Sequence, residues 1–143
     1  MVETARYRIL PHTADGKFQA YGRTPEEAFG NAALALASLM WDWSSVEPRI
    51  RRRIETSGRD REQLLVKFLG EIVYLFDARQ FLLGRVEELR IRPRSGGFGL
   101  EAVLAGETLA PGREIHGGVK AVTYHDLRIE ERDGVTVQVV VDM

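Results

Sequence analysis

His12 and Asp15 lie three residues apart in Pro11-His12-Thr13-Ala14-Asp15-Gly16, a segment between two β-prone runs. In a turn, both side chains can point into one pocket. Carboxylate oxygen suits hard cations such as Ca²⁺ or Mg²⁺, and imidazole suits softer ones. The same residues can also form an ordinary Asx-turn with an incidental histidine. A single His-x-x-Asp is too short a pattern to separate the two. A second acidic feature ends the sequence, in Val139-Val140-Val141-Asp142-Met143. The apolar run reads as a strand buried on both faces. It ends in Asp142 and the α-carboxylate of Met143. Two anions at the end of a buried strand are costly unless a cation sits there, and a tail frayed into solvent avoids that cost.

Other residues offer less. In Val119-Lys120-Ala121-Val122-Thr123-Tyr124-His125 a strand places Lys120, Val122 and Tyr124 on one face. Lys120 either snorkels to an edge or balances a carboxylate or phosphate. His12, His116 and His125 match no compact zinc spacing, and His125 beside a tyrosine reads as a hydrogen-bonded structural residue. No Gly-x-Ser-x-Gly elbow is present, and Ser95-Gly96-Gly97-Phe98-Gly99 is not followed by a helix, which removes the phosphate-cradle reading. Arg49-Ile50-Arg51-Arg52-Arg53 is the basic cluster, either a solvated strand face or a contact for RNA phosphates or an acidic partner. Trp41 and Trp43 could stack on bases, but closing the first helix against the core is the simpler role.

Composition narrows the classes. The 143 residues suit one domain, 1–143, and 44% hydrophobic content can fill a core. There is no cysteine, hence no disulfide, thiolate metal site or cysteine nucleophile. The formal charge of -1 gives no global field for nucleic acid. Seventeen of the 20 cations are arginine, leaving Lys17, Lys67 and Lys120 as the lysines. No secretory leader or apolar run of membrane-spanning length is visible, so the expectation is a cytoplasmic protein without membrane association.

The elements that must position these groups follow from periodicity. Residues 6–10 and 17–21 read as strands. Thr24-Pro25-Glu26-Glu27 starts a helix, with Thr24 as cap, Pro25 at the first helical position and Glu27 completing a capping box. Ala28, Phe29, Ala32, Ala33, Leu36, Leu39 and Met40 form its apolar face. An extended arginine-rich segment covers 46–56, with Ile50 and Ile54 on one side. A second helix runs over 60–76. Strands are expected at 81–83, 86–91 and 98–104, then a loop over 105–118. Last comes a hairpin of 119–130 with 135–141 around Asp133-Gly134. The fold class predicted is α+β: a single domain with a largely antiparallel β-sheet and two main α-helices packed on one face.

The chain resembles the archease family over nearly its whole length. The resemblance is carried by His12-Thr13-Ala14-Asp15, Ala20-Tyr21-Gly22, Glu26-Glu27-Ala28-Phe29 and Asn31-Ala32-Ala33-Leu34-Ala35. Further along it is carried by Gly106-Glu107, Val119-Lys120-Ala121-Val122-Thr123-Tyr124-His125 and Val141-Asp142. The resemblance implies a non-enzymatic activator of an RtcB-type RNA ligase, acting in tRNA splicing and RNA repair. It would promote guanylylation and multiple turnover of the ligase and contact RNA only indirectly or weakly. It further implies a divalent-metal site, with calcium as the ion, made by Asp15, Asp142 and the carboxylate of Met143. Lys120 would be a further functional position, and His12 and His125 accessory neighbours. One departure stands out. Family members usually have an apolar residue and then Gly after His-Thr-Ala-Asp, whereas Gly16-Lys17 follow directly here, bringing a cation near the site. Two rivals remain. One is a metal-dependent hydrolase using Asp15 and Asp142, for which no acid/base pair stands out. The other is a chaperone or RNA-binding module using the Arg49–Arg53 cluster.

Overall fold

The computed structural model describes residues 5–11 and 16–143. Eight strands and two helices follow one another as β1 (Tyr7–Leu10), β2 (Gly16–Gly22), α1 (Pro25–Ser38), β3 (Ile50–Gly58), α2 (Arg61–Arg79), β4 (Phe81–Arg94), β5 (Gly97–Thr108), β6 (Ala121–Val122), β7 (Arg128–Glu131) and β8 (Val135–Asp142). All strand pairings are antiparallel. The α+β class therefore holds, but the strands form two sheets where one was expected. The first has the order β1-β2-β8-β6, with β7 also pairing β8, and the second the order β3-β5-β4. Alternating side chains show which face of a strand is buried but not which strand lies beside it.

Both helices begin as their sequences dictate. The Thr24 side chain accepts from the Glu27 N–H at 3.1 Å. The Glu27 carboxylate accepts from the Arg23 N–H rather than from that of Thr24, so the box closes one residue early. The Asp60 carboxylate caps α2 by accepting from Gln63 N–H at 2.7 Å, and Gln80 ends the helix in the left-handed conformation. The alanine-rich face of α1 packs mainly on β2 and β4, and α2 packs mainly on β3. One cluster of buried side chains, including Phe18, Phe29, Trp41, Phe68, Leu104 and Val139, joins both sheets to both helices.

Several strand boundaries differ from expectation, and β3 covers Ile50–Gly58 where the extended segment was expected over 46–56. Residues 81–94 form one strand, interrupted by irregularities at Leu83/Arg85 and Val86/Glu88. These bulges absorb the break in alternation that read as two strands. β5 continues through Thr108 into the expected loop. The 119–130 segment divides into β6 and β7, separated by a turn in which Leu127 N–H donates to the Tyr124 carbonyl and Asp126 has φ 52°. The hairpin around Asp133-Gly134 is present, with both residues at positive φ. Among the described residues no helix is long and apolar enough to cross a membrane.

Candidate metal centre

β8 carries the acidic end of the chain between two neighbours. Val137, Val139, Val140 and Val141 are at most 2% exposed, so this strand is buried on both faces as its apolar run implied. On one side β2 pairs with it, placing Gly16 opposite Val141 and Lys17 opposite Val140. On the other side β6 places Ala121 opposite Asp142, and the Lys120 N–H donates to the Asp142 carbonyl at 2.7 Å. Thr123 adds its backbone N–H and its hydroxyl to the Val140 carbonyl, at 3.1 and 2.8 Å. Lys120 and Asp142, 22 residues apart in sequence, are thus adjacent, and both are exposed. His12 and Asp15 lie outside the described residues. What can be placed is Gly16, the sequence neighbour of Asp15, directly across from Val141, the sequence neighbour of Asp142.

The backbone packs tightly around this end. A Cβ added at Gly16 would come within 3.0 Å of the Leu39 side chain, Val141 and the Met143 sulfur. A Cβ at Gly117 would lie 2.3 Å from the Leu39 carbonyl and 3.3 Å from the Met143 methyl. The segment leading into β6 therefore crosses the end of α1 in direct backbone contact, and Met143 lies beside that crossing. His116 secures it: its N–H donates to the Met40 carbonyl and its Nε2 lies 2.9 Å from the Ser38 carbonyl oxygen. This gives His116 a structural role and holds it at the end of α1.

Lys17, the cation introduced by the departure from the family pattern, faces Asp126, with Nζ 3.8 Å from Oδ2. The same carboxylate lies 3.6 Å from Nε2 of His125. A polar ladder continues across this sheet face: Tyr21 hydroxyl donates to Gln19, Gln19 amide to Gln138, and Gln138 amide to the Asp126 carbonyl. His125 and Lys17 are thereby tied to the turn between β6 and β7. Among the described residues, no group of three or more His, Asp or Glu gathers into a metal-sized cluster.

Sequence reasoning missed the clamp behind this edge. The Glu107 carboxylate accepts from Arg49 Nε at 3.0 Å and from an Arg113 guanidinium N–H at 2.7 Å. Arg113 also donates to the Ser45 hydroxyl at 2.6 Å. The clamp ties the 109–118 segment to β3, β5 and the chain after α1. Burial pushes the Glu107 carboxyl up, but hydrogen bonds from Arg49 and Arg113 outweigh it and hold the group below the usual glutamate range. Arg49 and Glu107 are 58 residues apart, a separation that leaves no local pattern in the sequence. The arginine run itself is largely neutralised. Arg49 also meets Glu47, Arg51 makes a two-pronged pair with Glu87 at 2.8 and 2.9 Å, and Arg53 approaches Glu55 and Glu101. Hydrogen bonds from Arg51 and Arg85 pull the Glu87 carboxyl down to about 2. Trp41 is fully buried and its indole donates to the Leu83 carbonyl, so it does close the core. Trp43 donates to the Tyr7 hydroxyl.

The comparisons with known proteins agree on one group. The model of the Archease protein family (MTH1598/TM1083) matches residues 7–143. Protein archease of Pyrobaculum neutrophilum is 44% identical over 144 residues, covering 97% of this chain and 96% of that protein. Protein archease of Methanosarcina acetivorans is 39% identical over 140 residues, with 96% of each covered. The solution structure of Methanobacterium thermoautotrophicum protein 1598 superposes with a TM-score of 0.84 at 34% identity, covering 96% of this chain and 99% of that one.

Proposed function

Because this chain belongs to the archease family, we propose that it is a non-enzymatic activator of an RtcB-type RNA ligase. As a single domain acting in the cytoplasm during tRNA splicing and RNA repair, it promotes guanylylation and multiple turnover of that ligase. The activity depends on a divalent ion, calcium, held by Asp15, Asp142 and the main-chain carboxylate of Met143. The observation that carries this reading is the pairing of Gly16 with Val141, which brings the sequence neighbours of the two aspartates to facing positions on adjacent strands.

The donor chemistry fits. Carboxylate oxygens suit calcium or magnesium and make a poor dedicated zinc site. When bound, the ion supplies a concentrated positive charge that carboxylates alone cannot. The chain's own residues do the rest. β2 and β6 hold the end of β8 from both sides, and the Lys120 backbone N–H fixes the Asp142 carbonyl in place. Gly16 and Gly117 leave room for Met143 to pack against the end of α1. The exposed carboxylate edge then meets the ligase near its nucleotide site.

Single-turnover guanylylation of the cognate ligase tests the proposal, using the wild type, Asp15→Asn and Asp142→Asn, each with calcium or a chelator. The wild type should accelerate the step, and each variant should lose at least about ten-fold of that acceleration. Variants as effective as the wild type would remove the metal from the mechanism. A wild type without effect on the ligase would remove the activator role.

A further inference from the structure

The sequence points to Arg49–Arg53 as the basic surface, but the structure pairs most of that run with glutamates and leaves other cations unpaired. Along the outer face of β4, Arg92 lies opposite Gly99 and Arg94 opposite Gly97. Both are exposed, and neither makes an ion pair among the described residues. A cavity of about 370 Å³ opens beside them, between the β3–α2 junction and the β4–β5 turn. Arg59, Lys67 and Arg94 line it together with Ser57, Gln63 and the Gly96-Gly97 backbone, and no carboxylate does.

We infer that this cavity, with Arg92 beside it, binds the phosphates of an extended single strand of nucleic acid. The site is built rather than incidental. A Cβ at Gly97 would lie 2.1 Å from the Gly58 carbonyl, so the turn packs directly on the strand that leads into α2. A Cβ at Gly99 would lie 2.3 Å from Arg94 Nε, so the missing side chain is what lets the guanidinium lie across the middle strand. Lys67 is held by donating to the Ser57 carbonyl at 3.0 Å. Outside the lining, Asp60 lies 3.5 Å from Arg59, and Glu101 is opposite Arg90 one row back.

The form of the site favours a strand over a free nucleotide. It is open, and Phe98 is the single large apolar side chain among its lining residues, too little to enclose a base on both faces. Alternate β4 residues repeat every roughly 6.7 Å along one face, a spacing comparable to that of successive phosphates in an extended strand. Arginine presents a fork of donors matched to phosphate oxygens. The site also lies away from the candidate metal centre. Arg61, at the start of α2, pairs with Glu131, which faces Val135 at the opposite end of β8 from Asp142. The length of β8 separates those ends, roughly 23 Å. Strand binding here needs neither the ligase nor the metal, so it stands or falls apart from the function proposed above.

The test is fluorescence anisotropy of a labelled single strand of about 12 nucleotides, as RNA and as DNA of the same sequence, with the full chain alone over a salt series. Both probes should bind, because the protein meets backbone phosphate. Arg59→Gln/Arg94→Gln should weaken binding at least about ten-fold and flatten the log K against log salt slope by about 1.4, the change expected when two cations no longer neutralise phosphates. The control Arg8→Gln/Arg23→Gln, with equal charge loss elsewhere, should change binding less than about two-fold. Any of four results would overturn the inference: no strand binding by the wild type at low salt; equal losses in the two double variants; tighter binding of a polyglutamate peptide than of the strand; or displacement of the labelled strand by a nucleoside triphosphate at lower concentration than by unlabelled strand.

Discussion

Glu107 shows how one side chain can govern a distant edge. Its carboxylate holds Arg49 on one side and Arg113 on the other, and Arg113 reaches Ser45, so the segment that delivers Lys120 to Asp142 is anchored through it. Glu107→Gln keeps the shape and removes the charge. The expected cost is about 1–2 kcal/mol in urea unfolding, with weaker calcium binding by calorimetry. Glu107 and Glu87 also set the acid behaviour. Each is held below its ordinary value when folded, Glu87 at about 2. The unfolded chain therefore binds their protons first as pH falls. Their contribution is complete above the ordinary glutamate range, near about 4.3, and fades as pH drops toward the folded values. Urea midpoints measured from neutral pH down to about pH 3 should stay level to about pH 5 and then decline. In Glu87→Gln the decline should be shallower.

Among the elements, the packing of the 109–118 segment over the end of α1 is the tightest constraint at the proposed centre. Gly117→Ala would drive a Cβ into the Leu39 carbonyl, a backbone atom that cannot swing aside. The segment must lift. Thermal melting should show a loss of about 1–3 kcal/mol, with exchange protection falling at Lys120 N–H, whose acceptor is the Asp142 carbonyl. Trp41 ties α1 to β4 by a different means. Trp41→Phe preserves most of the buried ring but leaves the Leu83 carbonyl without its donor. A cost of about 1–3 kcal/mol in denaturant unfolding is expected. Retention of full stability would show that solvent or a neighbour replaces the indole.

For the whole molecule, the central result is that pairing of β8 with β2 draws the last residues of the sequence to the start of β2. This pairing closes a loop that spans most of the chain, and a bound ion at its end should stabilise the native state by mass action. Calcium at about a hundred times its dissociation constant should add about 2.7 kcal/mol, read as a rise in Tm. Asp142→Asn should remove the rise while leaving the calcium-free Tm close to that of the wild type, because Asp142 is exposed. A calcium-independent Tm in the wild type would contradict ion binding to the folded state.

Local features were readable from the sequence alone because their causes are local. Thr24 caps because a short polar side chain before a helical run has an N–H within reach three residues on. The valines of 135–141 announce a strand covered on both faces, and Asp133-Gly134 a tight reversal. The candidate site was only partly readable. Asp142 and Lys120 stood out as chemistry, and the family likeness joined them to Asp15, but no spacing rule says that residues 22 apart become hydrogen-bonded neighbours. The tertiary structure alone decided the sorting of strands into two sheets, the breaking of 119–130 into two short strands, the Glu107 clamp, and which arginines remain unpaired. These outcomes depend on which strand edges meet and which distant charges come within reach. Strand patterning and residue type are compatible with many such pairings, and packing around one shared core selects among them.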